Sequence, residues 1–249
     1  MQTSIHGSAL SLLEQRALAL VGGAVAGGAG GALFDFARAV KRWGGVRRAV
    51  APERGLAVPP FPQVLTLALV VGMVRRPQDH NGIVDDAVSL VSPVAASETA
   101  VVGACAVAAA VAALLDGWAM EGAWALACFV GRRGQPFGRK DEADPAQRLD
   151  RVMRAAQEEP DQPLRLRDVG LDPSSPADLV PVAFVLARSQ RDVQGGVREA
   201  RRLGAPGEGI APLVGALCGA ENPASWRGQA PLPPDADQVV GALLAIRRA

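Results

Sequence analysis

The side chains able to do chemistry are few and scattered. Asp85 and Asp86, in Ile83-Val84-Asp85-Asp86-Ala87, form the chain's one adjacent aspartate pair. Two carboxylates so placed suit the first turn of a helix, where they answer the positive end of its dipole. His80 beside Asn81 offers either a base in a pocket or a solvated loop histidine. The three cysteines, Cys105, Cys128 and Cys218, are odd in number, widely spaced and set in Ala/Val/Leu-rich stretches. That pattern suits small buried apolar residues in a reducing cytosol better than a disulfide framework or a zinc site. A catalytic thiol would need a base, and only His6 and His80 are available. Trp43, Trp118, Trp124 and Trp226 suit core or rim packing, with stacking on a planar ligand open to any of them.

These side chains must be positioned by helices. Leu10, Leu13, Ala17 and Leu20 share one face of a first helix, which is expected to run on into the glycine segment. Gly23, Gly27 and Gly31 repeat there at four-residue spacing, a pattern that lets helices approach closely in a soluble core or in a membrane dimer. Glycine costs up to ~1 kcal/mol per helical position, so the segment should persist only through packing or a close backbone approach to a ligand. Pro59, Pro60 and Pro62 break the chain before an apolar helix over Val64–Val74. Ser97 reads as the N-cap of a long Ala/Val helix to Leu115, with Asp116-Gly117 interrupting before a helix near 118–130. A polar loop is expected over 131–144 and an amphipathic helix over 145–158. Ser175-Pro176 reads as the start of a helix to Ser189. Helices near 193–203, 210–218 and 236–247 complete one all-α domain over 1–249, with no run that reads as a strand and no solenoid repeat.

The 249 residues carry a formal net charge of +1 and are 49% apolar. Such balance gives no basic stripe for a nucleic acid. The basic charge is almost all arginine, lysine occurring only at Lys41 and Lys140, as expected of a GC-rich bacterial coding sequence. The uncharged stretch 17–34 is long enough to raise a membrane span, but its Gly and Ala give little transfer energy. With Glu14 and no basic leader, neither a secretory signal nor a membrane partner is expected, and the expected location is cytoplasmic.

Several motifs resemble the ADP-ribosylglycohydrolase family. The run 21–36, Val-Gly-Gly-Ala-Val-Ala-Gly-Gly-Ala-Gly-Gly-Ala-Leu-Phe-Asp-Phe, resembles the family's opening helix. Gly27 and Gly31 match its two glycines, Asp35 sits where the family has glutamate, and Gly28 replaces a metal-binding aspartate. Leu179-Val180-Pro181-Val182-Ala183-Phe184 resembles the family's Thr-Val-Pro-Ala-Ala-Leu helix. It is followed at the right distance by Arg202-Leu203-Gly204 and by Ile210 to Ala220. The family's Gly-Gly-Asp-Thr-Asp-Thr becomes Gly204-Ala205-Pro206-Gly207-Glu208-Gly209, and Asn222-Pro223-Ala224-Ser225-Trp226 resembles its Ile-Pro-x-x-Trp ending. Val64 to Arg75 resembles the helix after the Asp-Asp-Thr metal motif, which would fall on Phe61-Pro62-Gln63, although Asp85-Asp86 could be that motif displaced. Asn81-Gly82 resembles the family's Asn-Gly turn, and 94–117 its long alanine-rich helix.

The resemblance implies a helical fold and hydrolysis at a ribose anomeric carbon with two magnesium ions. The ions want several oxygen ligands, and Gly28, Phe61, Pro62 and Pro206 offer no side-chain oxygen. No metal site and no other cofactor is therefore expected. Asp35 and Glu208 remain as candidate catalytic acids, since carboxylates can stabilise an oxocarbenium-like state or activate water unaided. Gly28, Gly31, Asn81, Asp85 and Asp86 are the candidate substrate-binding residues. Asp35 and Glu208 are expected to face one cavity, with 81–86 at its rim and a bias toward planar or apolar ligands. Three functions follow: a metal-independent enzyme repurposed for a small molecule, ribosylated or a biosynthetic intermediate; an inactive pseudo-enzyme binding ADP-ribose, a nucleotide or a protein; or a structural relic with a filled pocket.

Overall fold

The computed structural model describes residues 11–51, 61, 63–93, 97–158, 164–226 and 230–248. His6, Pro59, Pro60 and Pro62 lie outside them, as do residues 94–96 of the expected long helix. Of the described residues, 76% are helical, in twelve α-helices and three short 3-10 turns, with no strand. The chain is all-α, as its periodicity predicts.

Helix α1 spans Leu12–Gly27 and starts with a capping box: Glu14 N–H donates to Ser11 Oγ (3.3 Å) while Ser11 N–H donates to the Glu14 carboxylate (2.8 Å). It runs on into the glycine segment as expected, through Gly22 and Gly23 to Gly27. Gly28 adopts φ +114°, a conformation that side-chain-bearing residues rarely enter. The chain turns there and restarts as α2, Gly30–Trp43. A single turn, α3 (Val46–Ala49), follows.

Helix α4 (Val64–Val74) is buried along its whole length. Helix α5 (His80–Val91) occupies the segment read as an Asn-Gly turn, because Asp79 caps it through Gly82 N–H (3.0 Å). Helix α6 (Glu98–Leu115) starts from the Ser97 cap (Ala100 N–H to Oγ, 3.2 Å) and stops at Asp116-Gly117, both as expected. It is long and apolar enough to cross a bilayer, yet 94% of it is buried among α4, α5 and α7 (Met120–Gly134). Continuous Ala and Val let those neighbours approach on every side. α7 runs four residues past the expected boundary, into the segment read as loop.

The second half stacks α8 (Pro145–Glu158), α9 (Leu179–Gln190), α10 (Val193–Arg201) and α11 (Ala205–Glu221) on this core. Ser175 makes no side-chain cap; Pro176–Asp178 instead form a 3-10 turn leading into α9. Helix α12 (Ala236–Arg248) lies against α1, α2 and α4.

The principal long-range contact is α1 against α11. A Cβ on Gly23 would overlap the Gly215 carbonyl, and one on Gly215 would overlap the Gly23 carbonyl. Gly23 and Gly27 therefore serve main-chain contact between α1 and α11, whereas Gly31 meets nothing within 4 Å.

Candidate functional site

The bend at Gly28 and the starts of three helices enclose one cleft of about 450 Å³. Its floor is Gly27, Gly28 and Ala29, with Pro212 beside them; Gly31, Ala32 and Leu33 of α2 form one wall. Gln63, Thr66 and Leu67 of α4 form the second, and Ala205, Glu208 and Gly209 of α11 the third. A Cβ on Gly28 or Gly31 would meet nothing within 4 Å, so the missing side chains leave open volume rather than relieve a contact.

Two uncapped helix starts border this space. Neither α2 nor α11 has a side-chain cap, so the first amides of each helix keep their donors free. In α2 the bonding resumes only at Leu33 N–H, which donates to Ala29 at 3.4 Å; Gly31 and Ala32 precede it and line the cleft. Ala205 holds the same position in α11, where Glu208 N–H is already taken by Gly204 (3.1 Å). Pro212 sits inside α11 and has no N–H, so the Glu208 carbonyl lacks its usual helical donor.

Three polar side chains complete the lining. Thr66 is only 6% exposed, and its hydroxyl has no hydrogen-bond partner among the described residues. Gln63 adds an amide. The Glu208 carboxylate is exposed at the mouth, 3.8 Å from the Arg201 guanidinium, which also donates to the Ala26 carbonyl (3.1 Å). A larger hollow of about 580 Å³ lies between α8 and the turn at 168–170. It is a solvated groove edged by Arg151, Arg154, Glu158 and Asp168, without the main-chain floor of the cleft.

Gly28, Gly31 and Glu208 thus share the cleft. Asp35, expected beside Glu208, does not line it. It lies one turn beyond Gly31 on α2, exposed, and pairs with Arg38 (3.2 Å). Arg38 in turn donates to both oxygens of Asp235 at 2.8 Å, which draws the group away toward α12. Nor is the segment 81–86 at the rim. Asn81 accepts from Arg133 (2.7 Å) and lines, with Asp85 and Phe137, a separate hollow of about 280 Å³. Asp85 pairs with Arg47. Asp86 is buried against Arg75 (2.7 Å) and Arg47 (3.5 Å). Burial pushes its carboxyl above the ordinary aspartate range, against the opposing pull of Arg75. The aspartate pair is therefore neutralised by two arginines and ties α3, α4 and α5 together. His80 packs edge-on to Phe129, with ring centroids 5.1 Å apart.

A magnesium pair, which the family resemblance implies, does not fit this donor set. One carboxylate, one hydroxyl and one amide line the cleft, and no group of three His, Cys, Asp or Glu able to hold a metal occurs among the described residues. The thiols are equally remote from chemistry: burial pushes Cys105 and Cys128 up to about 12, and Cys218 upward as well.

Thr66, Gln63 and Pro212 were not singled out from sequence as site residues. One signal was present: Thr66 is the only hydroxyl in Val-Leu-Thr-Leu-Ala-Leu-Val-Val-Gly-Met-Val. No family model matches the chain, and neither a curated protein nor a solved structure is similar to it at a significant level.

Proposed function

We propose that this protein binds a small molecule in the α1–α2/α4/α11 cleft, without magnesium, on a scaffold resembling the ADP-ribosylglycohydrolases. The observation that carries the reading is the cleft itself: a main-chain floor with open volume at Gly28 and Gly31, next to the largely buried Thr66, whose hydroxyl has no partner among the described residues. The family resemblance draws support from the same place, since the glycine bend, Gln63 and the 204–209 segment meet there. Binding is favoured over turnover because Asp35 lies outside the cleft and leaves Glu208 as its only carboxylate. A metal-independent enzyme is the second reading, resting on Glu208 at the mouth.

The test is a ligand-observed NMR screen of neutral, anionic and zwitterionic fragments together with ADP-ribose, followed by melting curves with and without a chelator. Gly31→Phe blocks the cleft at a position where its own Cβ has room. A ligand at about 100 times its Kd adds ~2.7 kcal/mol, or about 5–10 °C for a chain of this size. That shift should survive chelation and vanish in Gly31→Phe. A shift that needs magnesium, or that Gly31→Phe leaves intact, refutes the reading.

A further inference from the structure

The polar groups of the cleft fall into two sets of opposite sign. The donor set is the free amides at Gly31 and Ala32 of α2 and at Ala205 of α11, with the Thr66 hydroxyl. Two helix N-termini add their positive dipole ends to it. Such a set recognises an oxyanion. Dipole ends alone occur at any helix start; Thr66 points further, because the residue is 94% buried, its hydroxyl has no hydrogen-bond partner among the described residues, and it lines this cleft.

The acceptor set lies on the first turns of α11. The Glu208 carboxylate stands at the mouth, and the Glu208 carbonyl is deprived of its helical donor by Pro212. A simple anion would satisfy the first set and be repelled by the second. Arg201 relieves that repulsion only in part, at 3.8 Å and half exposed. A simple cation would meet the reverse mismatch. The remaining lining is Ala29, Ala32, Leu33 and Leu67, which takes an apolar group.

We infer that the ligand is a small zwitterion of the α-amino-acid class: its carboxylate on the α2 and α11 amide ends and Thr66, its ammonium toward Glu208, its apolar side chain against Leu33 and Leu67. A cleft of about 450 Å³ accommodates a molecule of that size. The inference rests on the cleft being the ligand site, and it names the chemistry that site selects. The proposal is one of binding, with no bond made or broken.

The experiment uses the full chain, calorimetry and melting curves. L-leucine, L-methionine and L-phenylalanine are the primary probes. 3-Phenylpropanoate lacks the amine, phenethylamine lacks the carboxylate, and inorganic phosphate stands for a plain anion. At least one amino acid should bind saturably. For that amino acid, removing either charge should weaken binding about tenfold or more, the size of one charge-assisted hydrogen bond. Each variant should act on one half of the ligand. Glu208→Gln should lessen the preference for phenylalanine over 3-phenylpropanoate while leaving the latter's own affinity unchanged or better. Thr66→Val should weaken both, and circular dichroism checks that it folds. Thr66→Ser, which keeps the hydroxyl, should restore binding if a folding defect is not the cause.

Three results overturn the inference. No amino acid binds; phosphate binds as well as the amino acids and competes with them; or Glu208→Gln leaves the preference for the amine unchanged. If the zwitterions fail but ADP-ribose or a neutral fragment still shifts the melting point and Gly31→Phe abolishes that shift, the cleft remains the binding site and only the zwitterion is wrong. If Gly31→Phe changes nothing for any ligand, the cleft reading fails too.

Discussion

Arg247, near the end of α12, should be among the most costly side chains to remove although it touches no ligand. Its side chain is 2% exposed. Its guanidinium donates to the carbonyls of Gly72 (2.9 Å), Arg75 and Ala112 (3.0 Å), and pairs with Asp116. Gly72 and Arg75 end α4, and Ala112 and Asp116 end α6, so one cation answers the negative ends of two core helices. Arg247→Met keeps most of the stem volume and deletes every donor. Removing one partner of a buried ion pair costs ~3–5 kcal/mol, and a carbonyl stranded at Gly72 or Arg75 ~1–3 kcal/mol unless water reaches it, while Ala112 keeps the Asp116 N–H as its donor. The exit at Asp116, itself about one-third exposed, lets water reach the site, so the middle of the ion-pair range, ~4 kcal/mol in all, is the expected loss. In a chain of this length it should lower Tm by about 8–16 °C. Denaturant melts of wild type, Arg247→Met, Asp116→Asn and the double variant form the assay. The double variant should lose clearly less than the sum of the singles, because the pair is then removed together. A Tm within about 2 °C of wild type for Arg247→Met, or strict additivity, would refute the claim that this arginine caps both helices.

Other outcomes follow from the same geometry. Gly23→Ala or Gly215→Ala drives a methyl into the facing main chain, which cannot give way as a side chain can; each should cost ~3 kcal/mol or more by chemical denaturation. Asp235 should titrate below the ordinary aspartate range in an NMR series because the Arg38 guanidinium bonds it, and Arg38→Ala should move it back up. The sign is that of a depressed carboxyl: the tie between α2 and the start of α12 is present at neutral pH and is lost as pH falls through the folded-state value. Cys105 and Cys128 should resist a thiol reagent at pH 8 in the folded protein and react once denatured, since burial raises both to about 12. Asp35→Asn should leave binding in the cleft unchanged.

Reading the sequence succeeded where local signals were strong. Ser97 before an Ala/Val run, Asp116-Gly117 after it and the proline-bounded stretch before Arg75 each located a core helix. The reading failed where one residue decides. A glycine segment with helical spacing looks continuous, and only the left-handed conformation at Gly28 splits it into α1 and α2. The 204–209 segment, with Pro206 and three glycines, looks like a loop, yet α11 starts at Ala205 because proline is welcome in a first turn. Asp79 made a helix of an expected turn by capping it. Of the candidate site residues, Gly28, Gly31 and Glu208, taken from the family pattern, line one cleft. Asp35 and the 81–86 segment parted from them because arginines elsewhere hold those carboxylates: Arg38 for Asp35, Arg47 and Arg75 for Asp85 and Asp86. Such long-range pairings leave no periodic trace.

The contact of α1 with α11 has a consequence for how this molecule can change. Its two backbones meet without intervening side chains, so the Gly28 bend and the first turn of α11 behave as one solid piece. Neither can rotate without prising apart Gly23 and Gly215, each of which presents its bare Cα to the other's carbonyl. The floor of the cleft then has a fixed width under any substitution the fold tolerates, and no rotamer can widen or close it. Altered cleft shape would have to come from the side chains around that floor, at Gln63, Thr66, Leu67 and Leu33, or from a side chain added at Gly31, where a Cβ has room. A library over those positions would vary the shape of the cleft, while one spread over Gly23, Gly27 and Gly215 would drive side chains into the facing main chain.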